Sequence, residues 1–119
     1  MNLDHIVILV TDLDRSMPFY EAFLPLIGFS KSRDHIFGND QGIYFDFRLA
    51  QEPEHGYHRY GPGLNHLGFT ATSVDELEAI QRTMRERGFE MPEIQTIDGA
   101  KALFVKDPDG MRVELTVYP

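Results

Sequence analysis

The chain has 119 residues, which is enough for one globular domain and too few for two large ones. Hydrophobic residues make up 42% of it and charged residues 25%, a composition typical of a folded protein and not of a disordered one. Nineteen acidic residues against eleven basic ones give a formal charge of −8, which disfavours nucleic acid and anionic membranes as partners, and the absence of cysteine excludes disulfides, thiolate nucleophiles and cysteine-ligated metals.

The first predicted element is a short β-strand from Ile6 to Val10. It is preceded by Asp4 and His5 instead of the basic segment that opens a signal peptide. The apolar run is far too short to span a membrane. We therefore expect a cytoplasmic protein with neither a membrane nor a nucleic-acid partner.

Two helices are predicted, one after each of two similar strands. The first should end about one residue before Pro25, because proline disfavours helical geometry at the residue that precedes it. The second should begin at a capping box formed by Ser73 and Glu76 and end at Gly88. Phe19, Phe23 and Leu26 are expected to form the buried stripe of the first helix, and one face of the second is shared by Val74, Leu77, Ile80 and Met84.

The sequence repeats this pattern once. His66 follows His5 by 61 residues, and Gly88 follows Gly28 by 60. We therefore expect an α+β fold of one domain, made of two βαβββ modules at residues 1–60 and 61–119, with curled mixed sheets around a polar cavity. The β-like segments after the helices are 30–37, 43–49, 93–97, 102–105 and 112–118.

Four possible metal donors occupy matching places in the two modules. His5 and His66 open corresponding strands, while Asp46 and Glu114 each lie four residues after a glycine in the last strand of their module. Alternation along a strand places all four on the polar face. Such nitrogen and oxygen donors suit a divalent first-row metal, although a single histidine on a strand is more often structural.

Two arginines share this polar face. Arg48 and Arg112 could hold the carboxylate or phosphate of a ligand, since a guanidinium binds such groups through two hydrogen bonds. Each could instead neutralise a neighbouring carboxylate, Asp46 or Glu114. The sequence leaves both interpretations open.

The sequence resembles the vicinal oxygen chelate superfamily, which includes glyoxalase, extradiol dioxygenases, fosfomycin-resistance enzymes and bleomycin-resistance proteins. The resemblance covers nearly the whole chain and implies the glyoxalase/bleomycin-resistance/dioxygenase fold. The segments that carry it are 4–7, 11–16, 19–20, 61–69, 106–110 and 113–115.

The resemblance implies which residues bind the metal. His5, His66 and Glu114 match the ligands of the family, so one divalent ion (Fe, Mn, Ni, Co or Zn) is the expected cofactor. The fourth position, usually Glu or Gln, is Asp46 here, one methylene shorter. Asp46 could bind the metal directly, bind it through water, or act as a base.

The leading functional hypothesis is a metal-dependent lyase or isomerase of glyoxalase type. The metal would chelate two neighbouring oxygens of a small-molecule substrate and act as a Lewis acid, while Asp46 or Glu114 would carry the proton. A homodimer is expected, because members of this superfamily often complete their sites across subunits.

Three other functions stay open. An extradiol-type dioxygenase is possible, although the family members with that activity are generally longer. Fosfomycin modification is disfavoured because Val7 and the segment 97–100 replace the threonine and the serine-rich loop usual in those enzymes. A metal-free, bleomycin-resistance-like binding protein fits the charge of −8 but does not need His5, His66 and Glu114.

Overall fold

The computed structural model describes all 119 residues and divides into two compact units, residues 1–56 and 57–119. The predicted module boundary, at residues 60 and 61, falls in the same connecting loop. That both modules form one domain stays a prediction. Neither α-helix is long and apolar enough to cross a membrane.

The first unit contains one four-stranded mixed sheet and one α-helix. Its sheet order is β1-β4-β3-β2, in which β1 and β4 are parallel and the other neighbours are antiparallel. The elements are β1 (His5–Val10), α1 (Leu13–Phe23), β2 (Ser30–Arg33), β3 (Ile36–Gly38) and β4 (Tyr44–Leu49).

The second unit repeats this arrangement. Its sheet order is β5-β8-β7-β6, again with the first pair parallel and the others antiparallel. The elements are β5 (His66–Thr70), α2 (Val74–Glu86), β6 (Gln95–Ile97), β7 (Ala100–Lys106) and β8 (Arg112–Val117). The predicted fold of two βαβββ modules is therefore confirmed.

The end of α1 agrees with the effect of Pro25. The α-helix stops at Phe23, and a 3₁₀ turn over Leu24–Ile27 begins where the proline cannot continue α geometry. The 3₁₀ turn changes which side chains face the core. Leu24 is fully buried and Leu26 only half-buried, so the prediction for Leu26 was wrong.

The start of α2 is a variant of the predicted capping box. The Ser73 hydroxyl accepts a hydrogen bond from the Glu76 amide at 3.2 Å, but the Glu76 carboxylate binds the amide and hydroxyl of Thr72, at 2.7 and 2.8 Å. These two bonds stabilise the ionised form and lower the pKa of Glu76. At the other end, Gly88 adopts φ +89°, as expected for a glycine that ends a helix.

The segment after α1 differs most from the prediction. Residues 30–37, expected as one strand, form a hairpin in which β2 and β3 pair around Asp34 and His35. His35 has φ +65°, a conformation that non-glycine residues adopt infrequently, so no glycine marks this turn in the sequence. The corresponding hairpin of the second unit turns at Asp98 and Gly99.

Each sheet has one face covered by its helix and one open face. In the first unit, Tyr20 of α1 contacts Phe47 of β4 with ring centroids 4.1 Å apart. In the second unit, Leu77 and Met84 of α2 are fully buried, as are Leu103 and Val105 of β7. The open faces carry the residues predicted to be functional.

Candidate functional site

His66 and Glu114 are in direct contact on the open face of the second sheet. They lie on the parallel neighbours β5 and β8, where Gly68 is paired with Glu114. His66 Nε2 is 2.9 Å from Glu114 Oε2, and the Thr116 hydroxyl donates a hydrogen bond to Glu114 Oε1 at 2.6 Å. Both oxygens of this carboxylate therefore have a fixed position.

Asn65 fixes the other nitrogen of the His66 ring. Its side-chain amide Nδ2 donates to the carbonyl of Arg59 at 2.9 Å, which turns the amide oxygen towards His66. That oxygen lies 2.7 Å from His66 Nδ1, so Nδ1 carries a hydrogen and donates it. The tautomer of the neutral ring then has its lone pair on Nε2, the atom that faces Glu114.

The Nε2 to Oε2 contact could be made by a proton on Nε2 or by a bound cation. A neutral imidazole nitrogen and an ionised carboxylate both offer lone pairs there, so a proton or a metal ion must lie between or beside them. The observed separation of 2.9 Å is that of an N–H···O hydrogen bond from a ring protonated at Nε2, and two ligands of one metal ion can also lie this close.

His5 has a similar environment in the first unit. Its Nδ1 is 2.5 Å from a carboxylate oxygen of Asp4, the residue directly before it. Its ring stacks on Tyr44 of the neighbouring strand, with centroids 4.9 Å apart and an interplanar angle of 13°. Nε2 is therefore the ring atom of His5 left for a ligand.

Asp46 lies on the same open face as His5 and forms an ion pair with Arg48. The Arg48 Nε and a terminal nitrogen both donate to Asp46 Oδ2, at 3.0 and 2.6 Å. These hydrogen bonds and the carboxylate charge raise the pKa of Arg48. Of the two interpretations of Arg48 left open by the sequence, the structure shows the neutralising one.

Arg112 behaves differently, although it also lies two residues from a carboxylate. Glu114 binds His66 and Thr116 instead. The Arg112 guanidinium lies over the ring of Phe104, 5.7 Å from its centroid, and its buried Nε has no hydrogen-bond partner. Arg112 therefore does not neutralise Glu114.

The four predicted donors are divided between the units. His5 and Asp46 belong to residues 1–56, and His66 and Glu114 to residues 57–119. The chain contains no group of three or more His, Asp or Glu side chains positioned to hold a metal ion. The three-residue metal set and the catalytic roles of Asp46 and Glu114 stay predictions.

Two residues that support the histidines were missed in the sequence. Asp4 and Asn65 each stand directly before a histidine, and each supplies the oxygen that faces its Nδ1. They are 61 residues apart, the same offset as His5 and His66, so the repeat itself carried the signal. Ligand histidines in metalloproteins usually bind such a partner through the ring nitrogen that does not face the metal.

Comparison with known proteins identifies relatives along the whole chain. The sequence model of the Glyoxalase/Bleomycin resistance protein/Dioxygenase superfamily matches residues 2–115. The uncharacterised protein YqjT of Bacillus subtilis (strain 168) is 31% identical over 95% of this chain and 96% of its own length.

Solved structures share the fold. A Bacillus halodurans protein provisionally named a glyoxalase has a TM-score of 0.80 and 25% identity, over 98% of this chain and 95% of its own. The fosfomycin resistance protein FosX from Listeria monocytogenes has a TM-score of 0.73 and 17% identity, over 100% of this chain and 94% of its own. At that identity, the similarity to FosX extends to the fold alone.

The repeated βαβββ topology and the histidines at the two strand starts thus define a class of α+β protein with matching modules. The chain belongs to the glyoxalase/bleomycin resistance/dioxygenase superfamily, the vicinal oxygen chelate proteins.

Proposed function

We propose that this protein is a divalent-metal-dependent enzyme of the vicinal oxygen chelate type, a glyoxalase-like lyase or isomerase that acts on a small substrate with two neighbouring oxygens. The observation that carries the proposal is the His66 to Glu114 contact. Asn65 commits Nδ1 of His66 to a hydrogen bond, so Nε2 and a carboxylate oxygen converge at a spacing that suits one cation.

His5, His66 and Glu114 are the proposed ligands. A bound divalent ion would supply Lewis-acid stabilisation of negative charge on substrate oxygens. The side-chain partners Asp4 and Asn65 hold the two imidazoles through Nδ1, which orients both rings before any ligand arrives. Thr116 holds the second oxygen of Glu114, so this carboxylate presents one oxygen only.

Asp46 is the proposed fourth ligand or proton carrier. Both hydrogen bonds from Arg48 go to Oδ2, so Oδ1 stays free to accept a proton from substrate. As a base, Asp46 would take a proton from carbon and return it elsewhere on the same molecule. Its ion pair with Arg48 holds the carboxylate in place on the open face.

A homodimer is part of the proposal. Val7 and Leu9, on the same face of β1 as His5, are 42% and 57% exposed. Apolar side chains beside a site in this way are typical of a surface that a partner covers. Analytical ultracentrifugation should give a particle of twice 13.7 kDa, and a Leu9→Lys variant should shift it towards the monomer.

Oxygenation is the second candidate reaction. Two histidines and one carboxylate are also the donor set of non-haem iron(II) oxygenases. Oxygen uptake with catechols therefore belongs in the same screen as isomerisation of dicarbonyl adducts and opening of epoxides.

The test of the proposal is a metal-dependent activity. Protein stripped by a chelator is reloaded separately with Fe(II), Mn, Ni, Co and Zn, and each form is assayed against the three substrate classes. We expect turnover that the chelator abolishes and at least one metal restores. Turnover that survives complete removal of metal would contradict the proposal, and tight binding of cationic aromatic ligands to metal-free protein without turnover would favour a binding protein instead.

A further inference from the structure

Three basic side chains form a row across the open face of the second sheet. Lys106 on β7 is paired with Arg112 on β8, and Arg112 is paired in turn with His66 on β5. Paired residues on neighbouring strands point to the same face of a sheet. We call Lys106, Arg112 and His66 the basic row.

Two members of the basic row, Lys106 and Arg112, form no ion pair, whereas His66 contacts Glu114. Like charges directly opposite each other on neighbouring strands destabilise a sheet, and Lys106 and Arg112 are such a pair. The nearest carboxylate on the same strand, Glu114, is occupied by His66 and Thr116. The chain has eight more acidic than basic residues, so two neighbouring cations without an ion pair, Lys106 and Arg112, are unusual for its composition.

Arg112 has unused hydrogen-bonding capacity. Its guanidinium contacts the face of Phe104, and its Nε is buried without a partner. A buried donor without an acceptor costs stability, and an unpartnered guanidinium is the side chain best shaped to bind a planar or tetrahedral oxyanion.

Space for a ligand exists beside the row. Gly68, in the middle of β5, is paired with Glu114, and a Cβ built on it would meet no atom within 4 Å. Glycine weakens a strand, and inside one it often marks a place where a ligand approaches the backbone. The open space at Gly68 lies two residues from His66 on the same face.

We propose that Arg112 and Lys106 form an anion subsite that binds a carboxylate or phosphate group of the substrate next to the His66 and Glu114 pair. The assignment of this anion to a substrate rests on the proposed function. The subsite itself consists only of residues of the second unit and needs no metal. It specifies the substrate class: a small molecule with neighbouring oxygens for the metal and an ionised oxyanion group nearby.

The test is anion binding to chelator-treated, metal-free protein at constant ionic strength. Inorganic phosphate and lactate are titrated separately, and binding is followed by NMR chemical shifts. We expect saturable binding to the wild type, with Arg112→Gln weakening it about tenfold or more and Lys106→Gln about threefold. Arg82→Gln, which removes an exposed charge from α2 in the same unit, is the matched control and should bind as the wild type does.

The two probes separate the possible sources of the anion. Tighter lactate binding identifies a carboxylate, and tighter phosphate binding identifies a phosphate; either supports the subsite. Equal affinities of wild type and Arg112→Gln for both probes, or no saturable binding to the wild type, would overturn it. If circular dichroism shows that Arg112→Gln is misfolded, exposed Lys106→Gln decides the matter, and an unchanged affinity in that variant counts against the subsite.

These outcomes are distinct from failure of the proposed function. The anion titration contains no metal, so a wild type that never binds metal can still show the subsite. Conversely, Arg112→Gln should keep the metal content of the wild type, because the side-chain contacts that hold His66 and Glu114 come from Asn65 and Thr116 and not from Arg112.

Discussion

Removal of the Asn65 side chain should weaken metal binding without removing any ligand. Asn65 accepts a hydrogen bond from His66 Nδ1 at 2.7 Å and is itself held by the Arg59 carbonyl at 2.9 Å. Without it, the His66 ring is free to rotate and to place its hydrogen on Nε2. Loss of such a supporting group typically lowers metal affinity 10- to 100-fold, or about 1.4 to 2.8 kcal/mol.

The experiment compares Asn65→Ala with Asn65→Asp. Both lose the donor to Arg59, but aspartate keeps an oxygen that accepts the same bond from His66, so its affinity should stay within about threefold of the wild type. Zinc affinity is measured by competition with a chromophoric chelator, and thermal unfolding of the metal-free proteins checks the fold. Asn65→Ala that is folded and binds zinc as tightly as the wild type would refute the role of Asn65.

Three further predictions concern stability. Hydrogen bonds from Thr72 lower the pKa of Glu76 below its ordinary value of 4.5. Their stabilisation is therefore complete above pH 4.5 and is lost as the pH falls through the lowered pKa. Glu76→Gln should cost about 0.5–1 kcal/mol in urea unfolding at neutral pH, and less below pH 4.5. Leu77→Ala, at a fully buried position of α2, should cost about 2–5 kcal/mol in the same assay, and a cost below that range would show that the core there can collapse. Gly68→Ala should stabilise the strand by about 0.5–1 kcal/mol, since its Cβ meets no atom, while weakening phosphate or lactate binding; unchanged binding would argue against a ligand at this glycine.

Much of the fold could be predicted because local signals agreed with each other. Ser73 and Gly88 mark the ends of α2, and the buried positions between them follow the helical period. The hairpin at His35 was not predicted, because its turn residues, Asp34 and His35, include neither the glycine nor the proline that marks most tight turns. Leu24 replaced Leu26 in the core because the 3₁₀ turn after Phe23 rotates the side chains by a different angle per residue.

In the candidate site, the sheet face of each donor could be predicted from the sequence, but the partners of the arginines could not. Strand alternation placed each donor on the correct face, since that requires only the period of a strand. The partners of the two arginines could not be read in this way. Arg48 forms an ion pair with Asp46. Arg112 forms no ion pair with Glu114, whose two oxygens contact His66 and Thr116. Such choices depend on which side chains are nearest in three dimensions.

Elemental analysis of the purified protein tests the central claim most directly. Wild type, His66→Ala and His55→Ala are compared after reloading and removal of free metal; His55 is an exposed histidine outside the proposed set and serves as the control. We predict about one divalent ion per chain in the wild type and in His55→Ala, and a loss of metal in His66→Ala with its fold intact. Equal metal content in wild type and His66→Ala would contradict the assignment.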